Sequence, residues 1–176
     1  DSSHDARKEH YWRDRSRRGP HNLFTDTTDL IDSAPPEMGP PLPLFRYGDS
    51  AAVAARGQAT PGAWVGFSGG STVSAEYAWD SRSRSWRRFQ VDRLHPLDES
   101  AHVDSNGLQI APTNLVILEV DYRRSPADSR SPEAVSLGSG RAQVFVEGRL
   151  VAGTWNRERH SDTWGLRDEA GKPILL

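Results

Sequence analysis

The chain contains no cysteine. A disulfide framework, thiolate-ligated zinc and a thiol nucleophile are therefore excluded. Lysine is nearly absent too: Lys8 and Lys172 are the only two, and every other cation is arginine. Net charge is −2 and the pI about 6.3. That balance lacks the basic stripe a nucleic-acid surface requires. No apolar run approaches the roughly 18 residues of a membrane-spanning helix. No secretory leader, internal repeat or long amphipathic helix is visible. The sequence opens at Asp1, without methionine, in charged residues. It is expected to be a piece of a longer protein, which leaves the cellular location open.

What is present is aromatic and arginine-rich. Six Trp, four Tyr and five Phe can each bury about 150–250 Å², so a core is within reach of a polar chain. Residues 1–22 alternate in charge; a short helix over Asp5–Arg13 is expected, stopped by Gly19-Pro20. Residues 23–33 suit a short helix with Thr25 or Asp26 as its N-cap. Five prolines between Pro35 and Pro43 then impose an extended connector. Composition thus divides the chain into a charged segment, 1–33, a proline-rich connector, 34–62, and a β-rich domain, 63–176.

From residue 63 the pattern is that of strands. "AWVGF" is a short apolar strand. In "TVSAEYAWD", Val73, Ala75, Tyr77 and Trp79 share one face. "WRRFQV" returns as its hairpin partner. "NLVILEVDYR", residues 114–123, reads as a strand covered on both faces. "SPADSRSPEAVSLGSG" reads as a loop. "RAQVFVE" and "LVAGTWN" form a second hairpin, and the tail adds a short strand and a Gly turn. The expected class is α+β: mainly antiparallel or mixed sheet with few short helices, in layers. Most tryptophans are expected in the core, although Trp64, Trp79, Trp86, Trp155 and Trp164 could also line a carbohydrate-type platform.

Several clusters could carry chemistry. In "AHVDSNG", residues 101–107, His102 and Asp104 stand two apart, so in extended chain they share a face. Asp104 could orient the imidazole for acid–base work or ligand capture; alternatively it caps the Asn106-Gly107 turn. As a metal site the pair lacks a third ligand, which would have to be His21, His95 or His160, and neither metal nor cofactor is expected. Arg13, Arg15, Arg17 and Arg18, beside Pro20-His21-Asn22, could clamp a carboxylate or phosphate, or be a solvated segment paired with Asp5, Glu9 and Asp14. Ser68 in "GFSGG" matches a nucleophile-elbow pattern, but strand follows where a helix is needed. The glycines make a turn, and no Lys-Ser/Thr follows to form a phosphate loop.

Together, "YWRDRSRRGPHNLFTDTTDLI", "WRRFQV…AHVDSNGLQIAPTNLVILEVDYR" and "GSGRAQVFVEGRLVAGTWNRERHSDTWGLRDEAGKPILL" resemble the YerB-like lipoprotein family of bacteria, a family of unknown function built in two halves. The resemblance covers nearly the whole chain and is weakest near 34–62. It implies a layered α+β fold and an exported protein held at the membrane only by a lipid on an N-terminal cysteine that this sequence does not contain. It also implies that residues 1–33 are the tail of the preceding N-terminal domain, and that most of that half, with its Gly-Pro-x-Arg-Ser-x-Arg motif, and one further C-terminal strand lie outside this sequence. It transfers no activity. His21, Asn22, His102, Asp104 and Asn114 belong to the matched patterns; with Arg13 they form the candidate pocket, expected where the halves meet.

The functional expectation is an extracytoplasmic module that binds a small ligand or an envelope protein, not nucleic acid. The alternative is an envelope hydrolase or transferase with His102 as base, Asp104 as orienter, and Arg13 or Asn114 holding an anion. A third reading is assembly through the open edges of the hairpins at 72–91 and 141–156.

Overall fold

A computed structural model describes residues 10–19, 22–66, 73–92, 95–126 and 131–176, with the side chains of 95–99 set aside. The chain divides into two compact units, Asp1–Pro41 and Leu42–Leu176.

In the first unit, β1 (Tyr11–Arg13) pairs antiparallel with β2 (Leu23–Thr25), setting Trp12 opposite Phe24. The rings stack with centroids 6.4 Å apart. The helix expected up to Arg13 is therefore replaced by strand over residues 11–13; residues 5–9 lie outside the described set. Cross-strand aromatic pairing outweighs a helix that its own charges barely support. For the same reason the helix expected from residue 23 starts later. α1 spans Thr27–Asp32, and the Asp26 carboxylate accepts from the Thr28 amide. A 3-10 turn, Pro36–Met38, follows.

In the second unit, the segment expected as connector supplies structure. α2 (Ser50–Ala54) is capped by Asp49 and buries Val53 and Ala54; β3 (Gln58–Ala59) follows. β4 (Gly62–Gly66), β5 (Val73–Asp80), β6 (Ser85–Asp92) and β7 (His95–Ala101) make a four-stranded antiparallel meander. β8 (Asn114–Leu118) belongs to a second sheet; β9 (Tyr122–Arg124) and β10 (Pro132–Ala134) form a small hairpin. β11 (Gly138–Val146), β12 (Arg149–Arg157) and β13 (Gly165–Asp168) complete the second sheet in the order β13-β12-β11-β8, with β3 also on β12. The stretch from Ser125 to Gly140, expected as loop, thus holds β10 and the start of β11. An Arg123–Glu133 ion pair at 2.6 Å straps the small hairpin.

The five-stranded sheet is used on both faces. Val144, Val146, Val151 and Trp155 pack with α2, Leu166, Ile174 and Leu176 in one continuous core. Complete burial of such side chains contributes about 1.5–3 kcal/mol each. Phe145 has the opposite parity. Its ring meets the edge of Trp86 of the meander, centroids 5.6 Å apart. β8 is half-buried along its whole length, in keeping with its apolar run.

The two hairpin turns meet beside that contact. Glu147 and Gly148 both have positive φ, the conformation of a two-residue hairpin turn. A Cβ on Gly148 would come within 2.7 Å of Trp79 Nε1, so the turn needs glycine twice over. Arg84, in the β5–β6 turn, donates from Nε and Nη2 to the two Glu147 oxygens at 3.0 and 2.5 Å. Ser50 adds a donor at 3.3 Å. These contacts draw the Glu147 carboxyl below its ordinary pKa, the Arg84 hydrogen bond first.

Candidate functional site

After Ala101 the chain leaves β7 and makes a tight excursion along β6. The His102 amide donates to Arg88 O at 3.0 Å, and Arg88 N donates to Ile110 O at 2.9 Å. Val103 and Gln109 form a bridge, and Trp86 N donates to Pro112 O at 2.8 Å. Thus 102–112 continues the β6 ladder where β7 departs.

Asp104 holds the tip. Its Oδ1 accepts from the amides of Asn106 at 2.8 Å and Leu108 at 3.0 Å. Gly107 follows with φ 79°. These amides, Leu108 foremost, hold the Asp104 carboxyl below the usual carboxylate range. Of the two readings open from sequence, the geometry is that of turn cap: no hydrogen bond joins His102 to Asp104 among the described residues. A depressed folded pKa adds stability that is complete above the unfolded value and lost as pH falls through the folded one. Protection of the Asn106 and Leu108 amides, measured relative to their intrinsic exchange, should fall as pH drops below about 4, and Asp104→Ala should lack that protection at neutral pH.

The other expected residues are described within their own units. Arg13 Nη1 donates to Asn22 Oδ1 at 2.7 Å, so these two are together in the first unit. The Asn22 amide nitrogen is spent on Asp14 O and Arg17 O at 3.2 and 3.3 Å. Asn22 therefore organises its own loop. Arg17 pairs with Asp14 and lies over the Phe24 ring, 5.3 Å from its centroid. His21, and likewise Ser68, fall outside the described residues. Asn114 opens β8 opposite Val146. It shares that residue's face, not the Phe145 face that meets Trp86.

What gathers around His102 was not singled out from sequence. Phe89 pairs with Ala101, which sets His102 opposite Arg88 and on its face. Trp86, two residues before Arg88, shares that face; across the hairpin lie Trp79 and Tyr77. Trp86 is fully buried, its ring 4.9 Å from Trp79. The Arg88 guanidinium lies 6.0 Å from the Tyr77 ring centre. Three buried nitrogens on this face have no hydrogen-bond partner: Trp86 Nε1, Arg88 Nε and His102 Nδ1. No carboxylate pairs with Arg88 among the described residues. The available signal was an arginine alternating with tryptophan in "WRRFQV", on the parity that faces the core.

The remaining features place the tryptophans unevenly. Trp155 is core and donates to Glu119 O at 2.9 Å; Trp64 is 56% exposed. Among the described residues no group of three His, Asp or Glu side chains could hold a metal ion. No described helix is long and apolar enough to cross a membrane.

Two sheets joined through Trp86 and Phe145, with two short helices among the described residues, define a layered α+β domain. Residues 63–176 match the C-terminal domain of DUF3048, a protein of unknown function, and the chain belongs to that family. It is also similar in fold to the crystal structure of the YerB protein from Bacillus subtilis: TM-score 0.64, 18% identity, 94% of this chain and 52% of that one. The chain thus spans about half the length of that protein, and at this identity the likeness speaks for the fold alone. No curated protein matches.

Proposed function

We propose that this domain is a non-catalytic binding module whose ligand presents hydrogen-bond acceptors, most simply a carboxylate, to Trp86, Arg88 and His102. The observation that carries this reading is the trio of buried, unpartnered nitrogens on one face. Leaving a buried donor unpaired costs about 1–3 kcal/mol, more for a charged group, so native proteins pair such groups with protein, water or ligand. Trp Nε1 and Arg Nε only donate, and His Nδ1 does so when protonated there. An anionic acceptor suits all three. Catalysis has less support: the imidazole is not hydrogen-bonded to Asp104, whose Oδ1 is committed to its turn.

The extracytoplasmic, lipid-anchored setting belongs to this proposal and is supported by family resemblance; fractionation that finds the full-length protein only in the cytosol would remove it. The binding site itself is tested by titrating isotope-labelled protein with acetate and with acetamide, its neutral counterpart. Acetate should shift the Trp86 indole N–H and the Arg88 Nε–H saturably, and bind at least about tenfold more tightly, ~1.4 kcal/mol. Unmoved signals, or equal response to both compounds, would refute the proposal.

A further inference from the structure

The edge of β12 is paired twice and open between. β3 covers Arg149 and Leu150, through Ala59 and Gln58. β13 covers Gly153 to Asn156. Parity identifies which main-chain groups face this edge. Thr60 N donates to Gly148 O at 3.0 Å, so Gly148 and Leu150 turn towards β3. In β13, Asp168 N donates to Lys172 O and Leu166 O accepts from Ile174 N, both at 2.9 Å and both away from β12. Gly165 and Arg167 therefore turn towards β12, opposite Asn156 and Thr154. The residue between, Ala152, must turn its N–H and C=O to the same edge, where no strand stands among the described residues.

A cavity of about 380 Å³ occupies that place, lined by Arg56, Gln58, Ala152, Asp168, Glu169 and Lys172 among others. Arg56 is engaged, Nη1 with the Asp168 carboxylate and Nη2 with Pro173 O. Asp168 further accepts from the amides of Ala170 and Lys172. These contacts make a fixed wall. The side chains of Glu169 and Lys172 have no hydrogen bond or ion pair among the described residues, leaving one free carboxylate and one free ammonium at the rim.

We propose that the gap is a site for a short zwitterionic peptide. The first residue of the ligand would take the missing place in the ladder, one ammonium N–H to Ala152 O and its C=O to Ala152 N–H, as in strand addition at a sheet edge. The ligand carboxylate lies against Lys172 and its ammonium against Glu169. At about 3.4 Å per residue, the stretch from Leu150 to Thr154 admits one or two residues before β3 and β13 block the way. A chain end or dipeptide fits where a long strand does not. This site shares no residue with the Trp86–Arg88–His102 set, so the two proposals stand or fall separately.

The test is titration of the labelled chain with L-alanyl-L-alanine and with the same dipeptide acetylated and amidated. The free dipeptide should shift the Ala152 amide saturably and slow its exchange, and bind at least about tenfold more tightly than the blocked form. Lys172→Glu should abolish that preference while the Trp86 indole signal stays in place. No saturable change at Ala152 up to about 10 mM, equal affinity for the blocked form, or an Ala152 amide already protected without ligand would overturn the assignment.

Discussion

Gly153→Ala is expected to lose about 3 kcal/mol of stability, the upper end for an overpacked site. A Cβ at this position would lie 1.9 Å from Arg167 O, 2.8 Å from Arg167 C and 2.9 Å from Asp168 Cα. All three are main-chain atoms of the neighbouring strand, so no side-chain rotation relieves the collision. Relief requires β13 to move off β12, which pulls Leu166 and the bridged tail at Pro173 from the core. Chemical denaturation should therefore show a much lower midpoint, with early loss of amide protection in residues 165–168. A midpoint like that of the unaltered chain would mean that β13 does not lie as close as described. Gly19→Ala is the control: the nearest atom to its Cβ is Asn22 Oδ1, at an ordinary 3.7 Å.

Trp86→Ala should cost about 3–5 kcal/mol. Trp86 is completely buried and packs on Trp79 and Phe145 together, so its loss opens a cavity at the joint between the sheets. Against a total stability of about 5–15 kcal/mol that is enough to populate partly separated sheets, visible as loss of near-ultraviolet aromatic dichroism. Trp86→Phe separates packing from hydrogen bonding. Phenylalanine keeps much of the ring contact and removes an N–H that has no partner. Its stability cost should be under half that of alanine, because the unmet donor goes with the ring, while the response to acetate should weaken markedly. If Trp86→Phe binds acetate unchanged, the indole is only packing.

The fold was legible where one force decided it. Apolar alternation placed the β5–β6 hairpin almost to the residue, because the faces of a strand are set by parity; it found the β11–β12 hairpin but began β11 three residues late and set the turn one residue late. The continuous run at 115–118 announced a strand, but β8 ends its sheet and is half-buried rather than covered on both faces. Short elements were not legible. β1 and β2 are three residues each and exist because Trp12 and Phe24 stack across them; neither strand signals itself alone. α2 is five residues long, and what fixes it is burial of Val53 and Ala54 beneath β11 and β12, a contact invisible in a proline- and alanine-rich stretch.

The site was half legible. Strand parity drew attention to His102, but gave Asp104 two possible tasks, and only the amides of Asn106 and Leu108 show which one it performs. Arg88 and Trp86 were read as a hairpin partner; their importance comes from β7 leaving β6 at Ala101, which sets His102 opposite Arg88. Asn114 fell on the wrong face for a shared pocket because its parity follows Val146. Asn22 is spent on its own loop.

The most direct measurement is a high-resolution crystal structure of this chain with acetate in the medium. The account predicts an acetate oxygen within about 3.2 Å of at least two of Trp86 Nε1, Arg88 Nε and His102 Nδ1. It is contradicted if those three nitrogens are paired with oxygens of the protein itself, or if no acetate is found beside any of them.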